Sequence, residues 1–406
     1  MPPCPAATAP PAVRHPLRTR PFRLLFAGRV LSLTGDAVIP AALALAVLEA
    51  TGSTGALALV LACAMVPKLV LLPVGGVLAD RFDARTIALA MDLVRCAAQL
   101  LVGAQLLGGS PTLWLIAAAS AAGGAAGAFA VPTASPLVKG TVAPEVLARA
   151  NAAMGIASSA TRVAGPALAG ALVLTVGPGW AFVLDAVSFA VSAALLAALR
   201  VERVPVPRRS FVADLREGWR EVRSRDWYWT SLVAHSAWNG AAAVLTTLGP
   251  AIAVDRLGGP GTWVLLLQVG AVGLLAGSVV ADRLKPSRPV LTANLALASY
   301  ALPLLLLAAG APAWAVIGAY GLAQAGLGFL SPVWDTVVQR AVPEQVLARV
   351  VSYDWLLSLA AMPVGYTLAP LAADAWGPGV PLVAAAVLVG GCCLATALVP
   401  GVRRPR

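Results

Sequence analysis

The stretch GGVLADRFDAR, residues 75–85, ends a run of about twenty apolar residues and crowds Asp80, Arg81, Asp83 and Arg85 together. GSVVADRLK echoes it at 277–285. The chain is 12% charged and 59% hydrophobic, so such clusters mark where apolar segments stop. Charged residues make up about a quarter of an ordinary soluble domain. A helix crossing roughly 30 Å of hydrocarbon needs about 20 apolar residues, and runs of that length recur along the chain. The pattern predicts an all-α polytopic membrane protein. Barrel strands would alternate apolar and polar residues over about ten positions, and no such alternation dominates here.

Twelve spans can be read, at 22–49, 55–79, 86–107, 112–138, 150–176, 180–199, 227–253, 260–281, 288–308, 312–338, 350–372 and 378–398. The loops at 51–54, 108–111, 177–179, 309–312 and 373–379 hold no Lys or Arg, and 254–260 holds Arg256 alone. The opposite loops hold Arg81 and Arg85, Lys139 and Arg149, eight Arg between Arg200 and Arg225, Arg283, Lys285 and Arg288, and Arg340 and Arg349. Basic residues also crowd both tails. Cytoplasmic loops carry the excess of Lys and Arg, so both termini are expected in the cytoplasm. The net charge of +11 is then a topology signal whose partner is anionic lipid, and nucleic-acid binding is not expected. The first 20 residues are rich in Pro and Arg and lack an apolar signal core, so no cleavable signal is expected. Cys4, Cys63, Cys96, Cys392 and Cys393 show no metal spacing, and the adjacent Cys392 and Cys393 read as small core residues.

The two halves repeat. GGVLADRF at 75–82 matches GSVVADRL at 277–284, placing Asp80 over Asp282 at an offset of 202. TVAPEVLAR at 141–149 matches AVPEQVLAR at 341–349, placing Arg149 over Arg349 at an offset of 200. Equal orientation of both copies implies parallel six-helix repeats, an arrangement typical of one large class of secondary transporters. The expected organisation is a tail at 1–21, a bundle at 22–199, a linker at 200–226, a second bundle at 227–398 and a tail at 399–406. In the linker, Phe211, Leu215, Trp219 and Val222 share one helical face. That helix either lies on the membrane surface or packs beneath the bundle.

Gly76-Val77-Leu78-Ala79-Asp80-Arg81, followed by Arg85, resembles the loop 2–3 signature of the major facilitator superfamily. The variant DRFDAR looks like the branch of drug and siderophore exporters that includes macrolide-efflux and enterobactin-exporter proteins. LSLTGDAV, LVKGTVAPEVLARANA, AGPALAG at 164–170, FVLDAVSFAVSA and VVQRAVPEQVLARV agree, so the resemblance covers nearly the whole chain. It departs at Ala84, where a second basic residue is usual, and in the antiporter signature of span 5. There Gly165, Pro166 and Gly170 survive, while Ala169, Ala152 and Thr161 stand where glycines are expected. The resemblance implies that Asp80 caps a helix of the other half in the outward-facing state, with Arg81 and Arg85 holding the local network. Asp282 and Arg283 would play the weaker, symmetry-related part. Helix dipoles favour a carboxylate at such an N-terminus, and a contact that breaks as the halves rock can bias a two-state equilibrium. Marking orientation alone is the other reading of the motif.

Intramembrane charges are costly and usually functional. Arg29, Asp36, Lys68, Asp92, Arg95, Arg162 and Asp185 stand out. The family fold places spans 1, 2, 4 and 5, and their repeats 7, 8, 10 and 11, around a central cavity, which puts Arg29, Asp36, Lys68 and Arg162 on cavity helices. At about 1.5 Å per residue, Asp36 lies about 21 Å and Arg29 roughly 10 Å from the cytoplasmic end of span 1. Seven residues apart on one helix face, they are expected to line a shared path rather than pair. Asp36 is the first choice for proton coupling, with Lys68 or Arg162 as the neighbouring charge; a permanent salt bridge is the alternative. Asp92 and Arg95, three apart, are expected to pair with each other, and Asp185 is expected to be structural. In the second half Asn239, Gln268, Gln324, Trp334 and Tyr353, with His235 and Tyr366, are candidate cavity residues. Pro67, Pro73, Pro166, Pro332 and Pro363 are expected to kink helices.

No HExxH, GxSxG or P-loop is present, and His15 and His235 are the only histidines, so no enzyme, no cofactor and no metal site are expected. The expected activity is secondary active transport, with proton-coupled export of a small amphipathic molecule by alternating access. The alternatives are an uncoupled or importing facilitator, and a transport-inactive sensor or scaffold. A monomer in the bacterial inner membrane, contacting substrate, protons and lipid, completes the expectation.

Overall fold

The computed structural model describes residues 16–199, 211–284 and 286–403. Within those ranges the side chains of residues 73–81 and of Asp282 and Arg349, among others, lie outside the described set. Apolar sequence and helix go together here because hydrocarbon offers no partner for backbone N–H and C=O, so each span satisfies them internally. The long helices are α1 (Arg20–Thr51), α2 (Thr54–Arg81), α3 (Ala84–Leu107), α4 (Leu113–Gly127), α5 (Ala130–Lys139), α6 (Leu147–Thr175) and α7 (Pro178–Ala198) in the first half. A linker helix α8 (Phe211–Arg223) leads to α9 (Asp226–Arg256), α10 (Pro260–Arg283), α11 (Pro289–Leu297), α12 (Ala301–Ala308), α13 (Ala313–Ala341), α14 (Glu344–Leu359), α15 (Met362–Trp376) and α16 (Gly379–Ala395). A short α17 (Pro400–Arg403) follows. No strand occurs among the described residues.

Eleven helices are long and apolar enough to cross a membrane. The twelfth expected span is the broken pair α4 and α5, interrupted at Ala128 and Phe129 after a glycine-rich stretch. Span 11 is interrupted in the same way, between α14 and α15, and Pro363 sits in the first turn of the new helix. Elsewhere the prolines lie within unbroken helices, since α6 and α13 run on through Pro166 and Pro332.

One end of the molecule is marked by its turns. Every glycine at positive φ lies in a connection after an odd-numbered span: Gly52, Gly109, Gly177, Gly258, Gly259, Gly310 and Gly377. Gly52, for example, closes α1 at φ 61° and donates its N–H to Leu48 O. Only glycine takes this left-handed conformation without steric cost. The basic connections leave from the opposite, terminal end.

Small residues set the closest helix contacts. A Cβ at Gly124 would run into Ala64 O of α2. In the second half, Gly277 abuts Ala325 O, Gly328 abuts Leu274 O and Gly273 abuts Gly321 O, all between α10 and α13. Spans 2 and 4 in one half therefore meet as spans 8 and 10 do in the other, and the sequence repeat is also a packing repeat. Close approach of backbones through small residues is how helices gain van der Waals contact in lipid.

The halves touch mainly through α2 with α15 and α6 with α10. Gly170 meets Val264, and Leu45 of α1 joins the core of the second half. These contacts lie toward the glycine-turned end. Toward the terminal end most of the described packing is internal to each half, α5 on α3 and α14 on α8 and α9, with a smaller contact between α14 and α2. Of the two linker readings, the second matches the packing, because Val222 is wholly buried and the Trp219 ring lies tilted 5.7 Å from the Tyr353 ring. Arg225 fixes the turn into α9 by donating from Nη1 to Glu221 Oε2 (2.5 Å) and from Nη2 to Ala341 O, at the C-terminus of α13 (3.2 Å).

Overpacking a close contact costs about 1–3 kcal/mol. Gly277→Val is therefore expected to lower the thermal midpoint and the monodisperse yield of detergent-purified protein. Val279→Ala, at an exposed position, should leave both nearly unchanged. Equal behaviour of the two variants would contradict the packing role of Gly277.

Candidate functional site

The intramembrane charges collect in the first half, at a level where its hydrophobic core is divided. One core cluster holds Val38, Leu57, Val102, Ile116 and Phe182 toward the glycine-turned end. Another holds Phe22, Leu25, Leu137, Ala150, Leu196 and Leu199 toward the terminal end. Between them α1 brings Arg29 and Asp36, α3 brings Asp92 and Arg95, and α7 brings Asp185 and Ser192.

The pairing differs from the expectation on two counts. Arg95 does not turn to Asp92 on its own helix; it forms an ion pair with Asp36 of α1. Asp92 instead accepts a hydrogen bond from Ser192 Oγ of α7 (2.6 Å). Residues three apart on a helix are neighbours, but a partner on an adjacent helix competes for the same group. The guanidinium of Arg95 also lies 4.0 Å from the centroid of the Phe189 ring, a cation–π contact that is stronger where water is scarce. Asp36 thus pairs with a cation of span 3, not with Lys68 or Arg162, and does not simply share a path with Arg29. The side chains of Arg95 and Asp36 keep 16% and 34% exposure, so the pair is reachable from outside the core.

Asp185 is fully buried and lies next to this pair. It accepts from Gln99 Nε2 (2.5 Å) and from its neighbour Ser188 Oγ (3.3 Å), and a Cβ at Gly35 would strike its carboxylate. The glycine one position before Asp36 thus lets α7 bring a second carboxylate against α1. Asp36 acts electrostatically on Arg29, Lys68 and Asp185 alike. Lys68 is half-buried and Arg162 is exposed, and neither forms an ion pair among the described residues.

The span 5 glycines occupy contact points. Gly165 packs directly on the backbone of Ala37 in α1, and Gly170 on Val264 across the boundary between the halves. Gln268 of α10 donates from Nε2 to Val163 O of α6 (3.1 Å), also across that boundary. In the loop 2–3 motif, the side chains of Gly76, Asp80, Arg81 and Asp282 lie outside the described residues, and Arg283 is exposed. Arg85 is described, and its role is specific. Its Nε donates to Leu196 O (2.7 Å) and its Nη2 to Ala197 O (2.6 Å), capping the C-terminus of α7 with a cation. Asp83 caps α3 by accepting from the N–H groups of Arg85 (3.3 Å) and Thr86 (3.2 Å).

In the second half, Trp334 is buried in an aromatic cluster with Trp227, Tyr228 and His235. Asn239 donates to His235 O on its own helix (3.0 Å), and Gln324 donates to Tyr320 Oη (2.9 Å). The Oε1 atoms of Gln268 and Gln324 are buried without a partner. Tyr353 is half-buried beside Trp219, and Tyr366 is buried.

Asp354 is the residue that sequence reasoning missed. It accepts from Trp334 Nε1 (2.5 Å), Tyr228 Oη (3.0 Å) and Ser358 Oγ (3.2 Å). It sits in SYDWLLSL, where the basic loop before span 11 merges into apolar sequence, and so reads as a loop charge. The flanking aromatics were the available signal.

A twelve-span bundle of two parallel six-helix repeats, with a charged layer between helices of one repeat, defines a carrier rather than an enzyme. The Major Facilitator Superfamily family model matches residues 25–356, and the chain belongs to that superfamily. It is 27% identical over 410 aligned positions to the "Multidrug efflux pump Tap" of Mycobacterium tuberculosis, covering 90% of each chain. It is 21% identical over 364 positions to "Macrolide efflux protein A" of Streptococcus pyogenes, covering 88% of this chain and 90% of that one. Among solved structures, a POT family transporter in complex with 5-aminolevulinic acid superposes with a TM-score of 0.76 at 12% identity, over 95% of this chain and 97% of that one. A bacterial homologue of the iron transporter ferroportin, in an outward-facing state, gives 0.62 at 20% identity, over 93% and 98%. The protein is a multi-pass membrane transporter of the superfamily that handles small molecules.

Removing one member of a buried ion pair leaves the other charge uncompensated, which is worse than removing both. Thermal unfolding of Arg95→Gln should therefore show a larger loss than that of the Asp36→Asn/Arg95→Gln double variant. Additive losses in the double variant would mean that the pair does not couple α1 to α3.

Proposed function

We propose that the chain exports small amphipathic molecules across the bacterial inner membrane by alternating access, driven by protons. The observation that carries this reading is the Asp36–Arg95 pair, a carboxylate and a guanidinium between α1 and α3, in a carrier whose halves meet mainly toward one end. The efflux names of two relatives support export. With both termini in the cytoplasm, the glycine-turned end is outside and the conformation is open inward. Protonation of Asp36 frees Arg95, and a substrate that competes for either group couples its own movement to the proton's. Rocking then parts Gln268 from Val163 and Gly170 from Val264, and brings the terminal ends of the halves together. Asp80 latches the closed terminal end in the outward-facing state, with Arg81 assisting and Asp282 and Arg283 acting more weakly. Arg85 holds α7 in place beneath that latch.

The test is transport in inside-out membrane vesicles, together with drug and siderophore susceptibility of a deletion strain with and without an uncoupler. Wild type should accumulate substrate in the vesicles when a proton gradient is imposed, and the uncoupler should abolish accumulation. Asp36→Asn should abolish gradient-driven accumulation while keeping substrate exchange without a gradient. Accumulation that ignores the uncoupler would make the chain a facilitator. Unchanged coupling in Asp36→Asn would remove that residue from the mechanism.

A further inference from the structure

The divided core of the first half leaves a partly open cavity of about 420 Å³ between α1, α3, α5, α6 and α7. It lies inside one six-helix repeat rather than between the halves. Ligand pockets typically occupy about 300–1,000 Å³, so the space suits a small molecule. Two of its charged groups are incompletely matched. The Arg29 guanidinium forms no ion pair or hydrogen bond among the described residues. Asp92 has only the hydroxyl of Ser192. The two line the same cavity and act on each other electrostatically, yet they do not meet in an ion pair. Arg95 acts on Asp92 electrostatically but makes its ion pair with Asp36 and lies over the Phe189 ring, and Asp36 likewise acts on Arg29 without pairing with it. Leu25, Leu33, Met91, Phe129 and Met154 make most of the remaining wall apolar.

Separated opposite charges at membrane depth are costly, and functional sites are where such a cost persists. Arg29 stands on α1 and Asp92 on α3, on different walls of the cavity. An occupant with an acid group toward Arg29 and an ammonium toward Asp92 would satisfy both, and a short apolar chain would cover the Met and Phe surface. We infer that this cavity within the first repeat is a binding site for a small zwitterionic amphiphile, with Arg29 and Asp92 as its two charge-reading residues. The same chemistry could come from a soluble molecule or from the headgroup of a zwitterionic lipid. The inference concerns binding and stands apart from the direction and coupling of transport.

The test uses three probes with one tail and different heads: N-octyl-N,N-dimethylglycine, octanoate and octyltrimethylammonium. Binding to the purified full chain is measured by calorimetry in nanodiscs of phosphatidylglycerol alone. The zwitterion should bind at least about tenfold more tightly than either singly charged probe, a difference near 1.4 kcal/mol. Arg29→Gln and Asp92→Asn should each erase that preference. Arg29→Gln should retain octyltrimethylammonium binding and Asp92→Asn should retain octanoate binding, which shows that the fold survives, and Arg29→Lys should recover part of the zwitterion affinity. Discs containing phosphatidylethanolamine then identify the source: a competitive drop in zwitterion affinity assigns the site to lipid, and no drop assigns it to a soluble ligand. Equal binding of the three probes to wild type, or a zwitterion preference that survives in both charge variants, would overturn the proposal. A failure of proton-driven transport with the binding pattern intact would count against the proposed function and not against this site.

Discussion

Helices in hydrocarbon gain little from hiding apolar side chains from one another, because the lipid tails are equally apolar. What remains is contact distance, and the whole architecture depends on it. Gly124 against Ala64, and Gly273, Gly277 and Gly328 against their partners, let backbones approach until dispersion is effective. The same device governs the parts that must move. Gly165 seats α6 on α1 within the first half, whereas Gly170 touches Val264 of the other half. One helix thus carries a contact within its half and a contact between the halves, five residues apart.

Several charges are then arranged so that a helix end or a buried group finds compensation locally. Arg85 closes the C-terminus of α7, and Arg225 reaches the C-terminus of α13, so basic residues of the terminal end brace helices as well as marking orientation. Deeper in, Arg95 is shared between a carboxylate and an aromatic face, while Asp185 rests on an amide and a hydroxyl. Compensation by neutral donors is weaker than an ion pair, and it leaves a group able to respond when protons or ligands arrive.

The fold was legible because span length, loop charge and the two copies of ADR each point to twelve spans in two repeats, and the superfamily match agrees. The charged residues that form the candidate site were also legible one by one. Their partners were not. Asp36 with Arg95 and Asp92 with Ser192 join positions 59 and 100 residues apart, and helix periodicity ranks only neighbours along a single helix. Asp354 escaped for a different reason: a carboxylate near a basic loop has an easy solvated explanation, and only the converging Tyr228 and Trp334 show that it points inward. The interruption of span 4 was likewise masked by apolar composition, since hydropathy is blind to a break at Ala128 and Phe129 that keeps every residue lipid-compatible.

The two repeats share a packing scheme but not an interior. The second half has one continuous core running from Trp227 and Tyr228 through Trp334 to Val389, and its Asp354 carboxylate is held by aromatic and hydroxyl donors. The first half splits its core into two clusters and fills the gap with ionisable groups and a cavity. A core divided at one level can shift there at less cost than one packed throughout. Asp36, Arg95 and Asp185 lie at that level, where α1, α3 and α7 meet, so a change in any one charge acts on three helices at once.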